Sequence, residues 1–178
     1  MRIREAQQSD AAAIARVRVE SWRTAYSGIL PDGYLDGLSY EENTRNWQHI
    51  LAPTTPQNYA YVAEDDDGNV VGFALGGPER SNNPNYTGEL YAIYLLEDFQ
   101  GRGLGRALAQ AVVRRLVQEG MVSMLIWVLS ENPARAFYTA LGGQPIYEKE
   151  IEIGGSRFKE VAYVWQDIRP LIDPKEDF

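Results

Sequence analysis

The chain has 178 residues, a net charge of −8 and no cysteine. That length suits one domain, residues 1–178, with a sizeable core; the acidity argues against a nucleic-acid partner, and the missing cysteine excludes disulfides, thiolate nucleophiles and thiolate metal sites. The N-terminal MRIREAQQSD lacks the apolar stretch of a signal peptide and MLIWVL, residues 124–129, is far too short to span a bilayer, so a soluble cytoplasmic protein without a membrane partner is expected.

Residues 3–6 read as a first strand. Ser9 or Asp10 can cap a helix over residues 11–26, with Ile14, Val17, Val19 and Trp22 as its apolar side. Gly28 marks a turn, and Pro31 opens a short helical piece through Leu38. Ser39 and Glu42 form a capping-box pattern for a helix through Trp47 to Leu51, closed by Pro53 and Pro56. Tyr59–Glu64 and residues 70–75 are predicted strands, joined by a hairpin turn at Asp65-Asp66-Asp67-Gly68-Asn69. Those aspartates do not make a calcium loop, because the EF-hand register from Ala63 puts Ala74 where a bidentate glutamate belongs. Residues 76–87, polar and rich in Asn and Pro, read as a mobile loop.

The centre of the chain is a strand, a glycine loop and a helix. ELYAIYLL, residues 89–96, is apolar and aromatic around the β-branched Ile93. Gln100-Gly101-Arg102-Gly103-Leu104-Gly105 follows, then an amphipathic helix with Leu104, Leu108, Ala111, Val112 and Leu116 on one face. Glycines let the backbone approach a ligand, and the first N–H groups of a helix have no internal partners, which makes a seat for phosphate. Arg102 and Arg106 oppose the helix dipole there, at a cost of up to about 1 kcal/mol, and become favourable when a polyanion binds. A P-loop needs Gly-Lys-Ser/Thr, whereas Gly105 is followed by Arg106 and Ala107. The dinucleotide fingerprint fails as well, since its third glycine falls on Arg106.

Gly120 ends that helix, and residues 121–129 read as a buried strand. Asn132 caps a further helix, residues 134–141, with Pro133 at its first position. Residues 146–153 and 158–165 form a last hairpin across Gly154-Gly155. Strand pairs around one strand–helix–strand crossover predict an α/β fold with a mixed, partly antiparallel central sheet flanked by helices.

Gln100-x-x-Gly103-x-Gly105 resembles the acetyl-coenzyme A signature of the GNAT N-acetyltransferase superfamily. Asn132-Pro133-Ala134-Arg135-Ala136-Phe137-Tyr138 with Leu141-Gly142 resembles that family's second motif, at the right separation. The stretch WRTAYSGILPDGYLDGLS, residues 22–39, also resembles members that acetylate polyamines, a weaker match. The resemblance implies a sheet splayed at a cleft that binds acetyl-CoA as cosubstrate, without a metal. Main chain at Ile93, Tyr94 and Leu95 would pair with the pantetheine arm. Gln100, Gly101, Arg102, Gly103, Leu104, Gly105, Arg106 and Ala107 would hold the pyrophosphate, with Asn132 and Arg135 nearby.

Acetyl transfer to an amine needs a base, since an amine of pKa about 10.4 is neutral in only about one molecule in 2,500 at pH 7. By the resemblance Tyr138 is the candidate acid for the leaving thiolate, and Glu89, at the strand start, the candidate base. His49 is the single histidine, so triads and zinc catalysis are disfavoured. Trp22, Tyr26 and Tyr34 are candidate substrate contacts, with packing as their other role. Residues 100–119 carry +3, leaving −11 elsewhere; this split suits an anionic cosubstrate and a small cationic, polyamine-like amine. Acetylation of a protein amine, a catalytically inactive acyl-CoA-binding module, and a homodimer are compatible with the same residues.

Overall fold

The computed structural model describes residues 1–54 and 57–172; Pro56, expected to help close the third helix, lies outside them. The elements run β1 (Arg2–Glu5), α1 (Ala11–Ala25), α2 (Asp32–Asp36), α3 (Tyr40–Ile50), β2 (Tyr59–Glu64), β3 (Val70–Pro78), β4 (Gly88–Leu95), α4 (Leu104–Gln118), β5 (Met124–Leu129), α5 (Arg135–Ala140), β6 (Gln144–Ile153) and β7 (Ser156–Trp165). The strands form one seven-stranded sheet of order β1-β2-β3-β4-β5-β7-β6. Every neighbouring pair is antiparallel except β4 and β5, which are joined through α4. Among the described residues no helix is long and apolar enough to cross a membrane.

Helices cover both faces. Ile14, Ala15 and Val17 of α1 and Trp47 of α3 pack on Val62, Phe73 and Leu75. On the other face Leu104, Leu108, Val112 and Leu116 of α4 meet Ala74, Leu90, Met124 and Ile126. Each fully buried leucine there contributes about 2 kcal/mol. The buried stripe of α4 also takes Ala109 and Val113, leaving Ala111 half-buried.

The end of β3 and the start of β5 differ from expectation for steric and hydrogen-bonding reasons. β3 continues through Gly76 and Gly77 to Pro78. A Cβ on Gly76 would stand 2.4 Å from Val112 Cγ1, and one on Gly77 2.3 Å from the Gln57 carbonyl oxygen. Glycine is therefore required by close packing, not by a loop. The loop that follows is organised by Glu79, whose carboxylate accepts from the amides of Ser81 (2.6 Å) and Asn83 (2.8 Å). β5 begins only at Met124, because Ser123 is occupied by the neighbouring chain: its carbonyl accepts from Gly88 N–H at 2.9 Å and its Oγ from Thr87 N–H at 3.0 Å.

Asp10 does not cap α1. Its carboxylate accepts from Gln7 N–H at 2.7 Å, closing a 3₁₀ turn, and from both terminal nitrogens of Arg4 at 2.7 and 2.9 Å. Ser39 does cap α3, accepting from Glu42 N–H at 3.2 Å. The Arg4 guanidinium holds the Asp10 carboxyl below the usual carboxylate range. Asp10→Asn should lower stability by about 2 kcal/mol at neutral pH in urea unfolding. A depressed folded-state pKa means that the contribution is complete above the unfolded value of about 3.9 and is lost as pH falls through the folded value. The difference between parent and variant should therefore shrink on acidification below about pH 4.

Candidate active site

The site begins where the sheet opens. β4 and β5 pair only at Gly88 with Met124 and Glu89 with Leu125. Beyond that joint they diverge, although β4 stays paired to β3 and β5 to β7. A bulge sharpens the opening: Leu75 faces Ala92 and Gly76 faces Leu90, so Tyr91 is the extra residue. Tyr91 and Ala92 consequently both turn to the α1 side, while Leu90, Ile93 and Leu95 pack on the α4 side. The gap is a cleft of about 840 Å³ between Ile93, Tyr94 and Leu95 of β4 and Ile126, Trp127 and Val128 of β5. The Leu95 carbonyl accepts from Ser21 Oγ at 3.3 Å and Gln100 Nε2 at 3.2 Å, so Gln100 fastens the loop to the strand.

The glycine loop closes one end. Gly101 and Gly103 adopt φ of 71° and 81°, and a Cβ on either would meet no atom within 4 Å. Left-handed backbone here turns the chain directly into α4. Ala107 N–H already donates to the Gly103 carbonyl at 3.0 Å, so the open helix amides are those of Leu104, Gly105 and Arg106. Gly105 packs tightly, since a Cβ there would lie 3.3 Å from Phe137. Gln100, Gly101, Gly103, Gly105 and Arg106 line the cleft. Arg102 is exposed and stacks over Phe99, 5.4 Å from the ring centre, and Leu104 puts its side chain in the core.

Aromatic hydroxyls and one amide cross the gap. Asn132 Oδ1 accepts from Ala134 N–H at 2.8 Å, which caps the turn into α5, and its Nδ2 donates to Tyr26 Oη at 3.2 Å. Tyr26 Oη lies 3.3 Å from Tyr94 Oη. Trp22 lies edge-on to Tyr26, with centroids 4.9 Å apart, and both line the cleft. Tyr138 enters from α5 and is buried between Phe137 and Tyr163. Burial, helped by Tyr94, pushes its phenol far above the ordinary tyrosine value. It therefore carries its proton at neutral pH.

Glu89 is placed differently from its expected role. It is buried, and its Oε1 accepts from Arg80 at 2.7 Å while Oε2 accepts from Arg80 Nε at 3.3 Å and Arg80 N–H at 3.1 Å. Both carboxylate oxygens are thus engaged by Arg80, and Glu89 is not in the cleft wall. Arg135 is likewise occupied, donating to Ser130 O at 2.8 Å and Tyr163 Oη at 3.1 Å. Tyr34 packs against the Gly154 turn outside the cleft. Ser21, Trp127 and Glu160 do line the cleft and were not singled out from sequence. Trp127 and Glu160 stand at alternate positions of β5 and β7, a signal that needs the strand pairing to be read.

A narrow cleft that ends at open helix amides and an arginine suits a long ligand with a phosphate terminus, and the free β4 edge suits an amide-bearing arm. The comparisons agree. The FR47-like protein family model matches residues 81–151. "Uncharacterized N-acetyltransferase YuaI" of Bacillus subtilis (strain 168) is 43% identical over 169 residues, 95% of each chain. A mycothiol acetyltransferase of Saccharomonospora viridis is 35% identical over 91 residues, 48% of this chain and 30% of its own. Among solved structures, the PaiA N-acetyltransferase of Thermoplasma acidophilum in complex with coenzyme A superposes with a TM-score of 0.68 at 19% identity, covering 90% of this chain and 96% of its own. YncA of Salmonella typhimurium, a putative acetyltransferase with its cofactor acetyl-CoA, gives 0.70 at 22% identity, covering 97% and 94%. The fold and cleft thus define an acyl-CoA-type site. The chain belongs to the GNAT N-acetyltransferase superfamily, enzymes whose acyl donor is acetyl-CoA.

Gly103→Glu would place a carboxylate at the open loop and strain a left-handed position. Acetyl-CoA should raise the melting temperature of the parent and leave that of the variant unmoved, as measured by thermal shift, because a ligand stabilises only the state that binds it.

Proposed function

We propose that the protein acetylates a primary amine by direct attack on the acetyl thioester within the splayed cleft. The observation that carries this reading is the opening of β4 from β5 after two residue pairs, with the free helix amides at one end and a protonated Tyr138 in its wall. Acetyl-CoA supplies the acyl group as a thioester. Leu104, Gly105 and Arg106 amides and the Arg106 guanidinium hold its phosphates, and β4 main chain aligns the arm. An amide near Leu95 is a fixed donor for the thioester oxygen, where charge develops. Tyr138 gives its proton to the departing sulfur. Trp22 and Tyr26 shape the acceptor end, with Tyr26 held in place by Tyr94 and Asn132.

The polyamine-like acceptor expected from the overall charge loses its main anchor, because Glu89 is neutralised by Arg80. The charge of the walls, not of the whole chain, decides the acceptor class. An inactive binding module has less support, since the cleft wall includes the hydroxyl-bearing Tyr138.

Thiol release from acetyl-CoA across a panel of amines tests the activity. Tyr138→Phe should bind acetyl-CoA as tightly as the parent and turn over roughly 10²-fold more slowly when chemistry limits the rate. Unchanged turnover under that condition would refute the acid role, and thiol release with no amine would refute the transferase reading.

A further inference from the structure

Behind the splay lies a second cavity of about 390 Å³. It adjoins the cleft, because Tyr91, Trp127 and Glu160 stand in the walls of both. Its remaining charged residues are Arg80, Lys149 and Glu89. Glu89 is fully engaged by Arg80, as described above. Glu160 is different: among the described residues its cation is Lys149, whose Nζ is 3.5 Å from Oε2, too long for a strong hydrogen bond. Its side chain is 18% exposed and sits at the seam between the cavities.

The two cations are set out on aromatic faces. Lys149 Nζ lies 4.0 Å above the Trp127 ring and the Arg80 guanidinium 3.7 Å from the Tyr91 ring. Their side chains stay open, 43% exposed for Lys149 and 60% for Arg80. Cation–π contacts fix the position of a charge without neutralising it. Arg80 is already paired with Glu89, so Lys149, held only loosely by Glu160, is the cation that keeps attraction for an anion. The seam thus carries a loosely held carboxylate and the outer wall one loosely held cation.

We propose that this cavity is the acceptor site, and that it selects a primary amine which also bears a carboxylate. The proposal rests on the acetyl-transfer reading and names its substrate class. Glu160 receives the ammonium and takes one proton from it. The freed nitrogen lone pair forms the N–C bond to the acetyl carbon as the C–S bond breaks. The sulfur leaves with the proton of Tyr138, and the surplus proton on the new amide nitrogen restores the phenol. Glu160 passes its proton to solvent, so one coenzyme A thiol and one proton are released for each ammonium consumed. Lys149 holds the acceptor's carboxylate meanwhile.

The test is kcat/KM for matched acceptors: α-amino acids against their own carboxamides, and 4-aminobutyrate against butylamine, with spermidine as the polycation. A carboxamide is the less basic amine and holds more free base, so a carboxylate preference must run against that gradient. The carboxylate-bearing partner should lead by at least 10-fold in at least one matched pair. That ratio should collapse toward 1 in Lys149→Gln, chiefly through KM, and persist in Lys159→Gln, an exposed control on β7 outside the cavity. A ratio at or below 1 in every pair, a ratio unchanged in Lys149→Gln, or spermidine as the best acceptor would overturn the proposal and leave acetyl transfer standing. Thiol release with no amine would instead overturn the transferase reading itself.

Discussion

Everything at the site depends on how few residues join β4 to β5. Two registered pairs hold the strands together, and past them each strand is tied only to its outer neighbour. The sheet is therefore two rigid leaves meeting at Gly88 and Glu89. Backbone groups on the facing edges lose their ladder partners, which is costly if they stay buried and unpaired. A substrate arm that can accept and donate along an extended edge satisfies them. Side chains keep the leaves in register across the gap: Tyr94 from one leaf and Asn132 from the other both reach Tyr26 of α1.

The joint explains why Glu89 is bound up. A carboxylate buried beside the last paired residue needs a partner, and removing one member of such a pair leaves an uncompensated charge. Arg80 supplies both a guanidinium and a backbone amide from the loop after β3. Glu89 thereby locks that loop to the base of the splay, and its place in the strand serves geometry. Across the joint, β7 brings Glu160 beside Leu129 and opposite Lys149 of β6.

What could be read from the sequence divides by range. The glycine loop, the Ser39 and Asn132 caps and the last hairpin rest on residues a few positions apart, and local chemistry specifies them. The turn of the glycine loop into α4 was legible for the same reason. Ala107 shows the limit of pattern alone, because whether its amide is free depends on where the helix cap falls. The pairing of Glu89 with Arg80 was not legible, since Arg80 sits in a segment whose Asn and Pro content reads as a loop. Gly76 and Gly77 were assigned to that loop because glycine signals a turn and close packing equally. Glu160 and Trp127 carry no local signature at all. Their meaning comes from strand order β4-β5-β7-β6, in which β7 lies between β5 and β6.

Tyr138 raises a question of driving force, since burial lifts its phenol well above a free tyrosine and so weakens it as an acid. The comparison with a thiol in water, pKa about 8.5, makes the transfer look uphill. The relevant comparison is inside the cleft. Desolvation disfavours whichever group carries the negative charge, so a thiolate forming beside Tyr138 is raised in basicity by the same surroundings. Two acids lifted together keep the proton transfer near balance, where a positioned donor is most effective. In the reaction proposed here, burial of the phenol between Phe137 and Tyr163 keeps its proton in place until the sulfur departs.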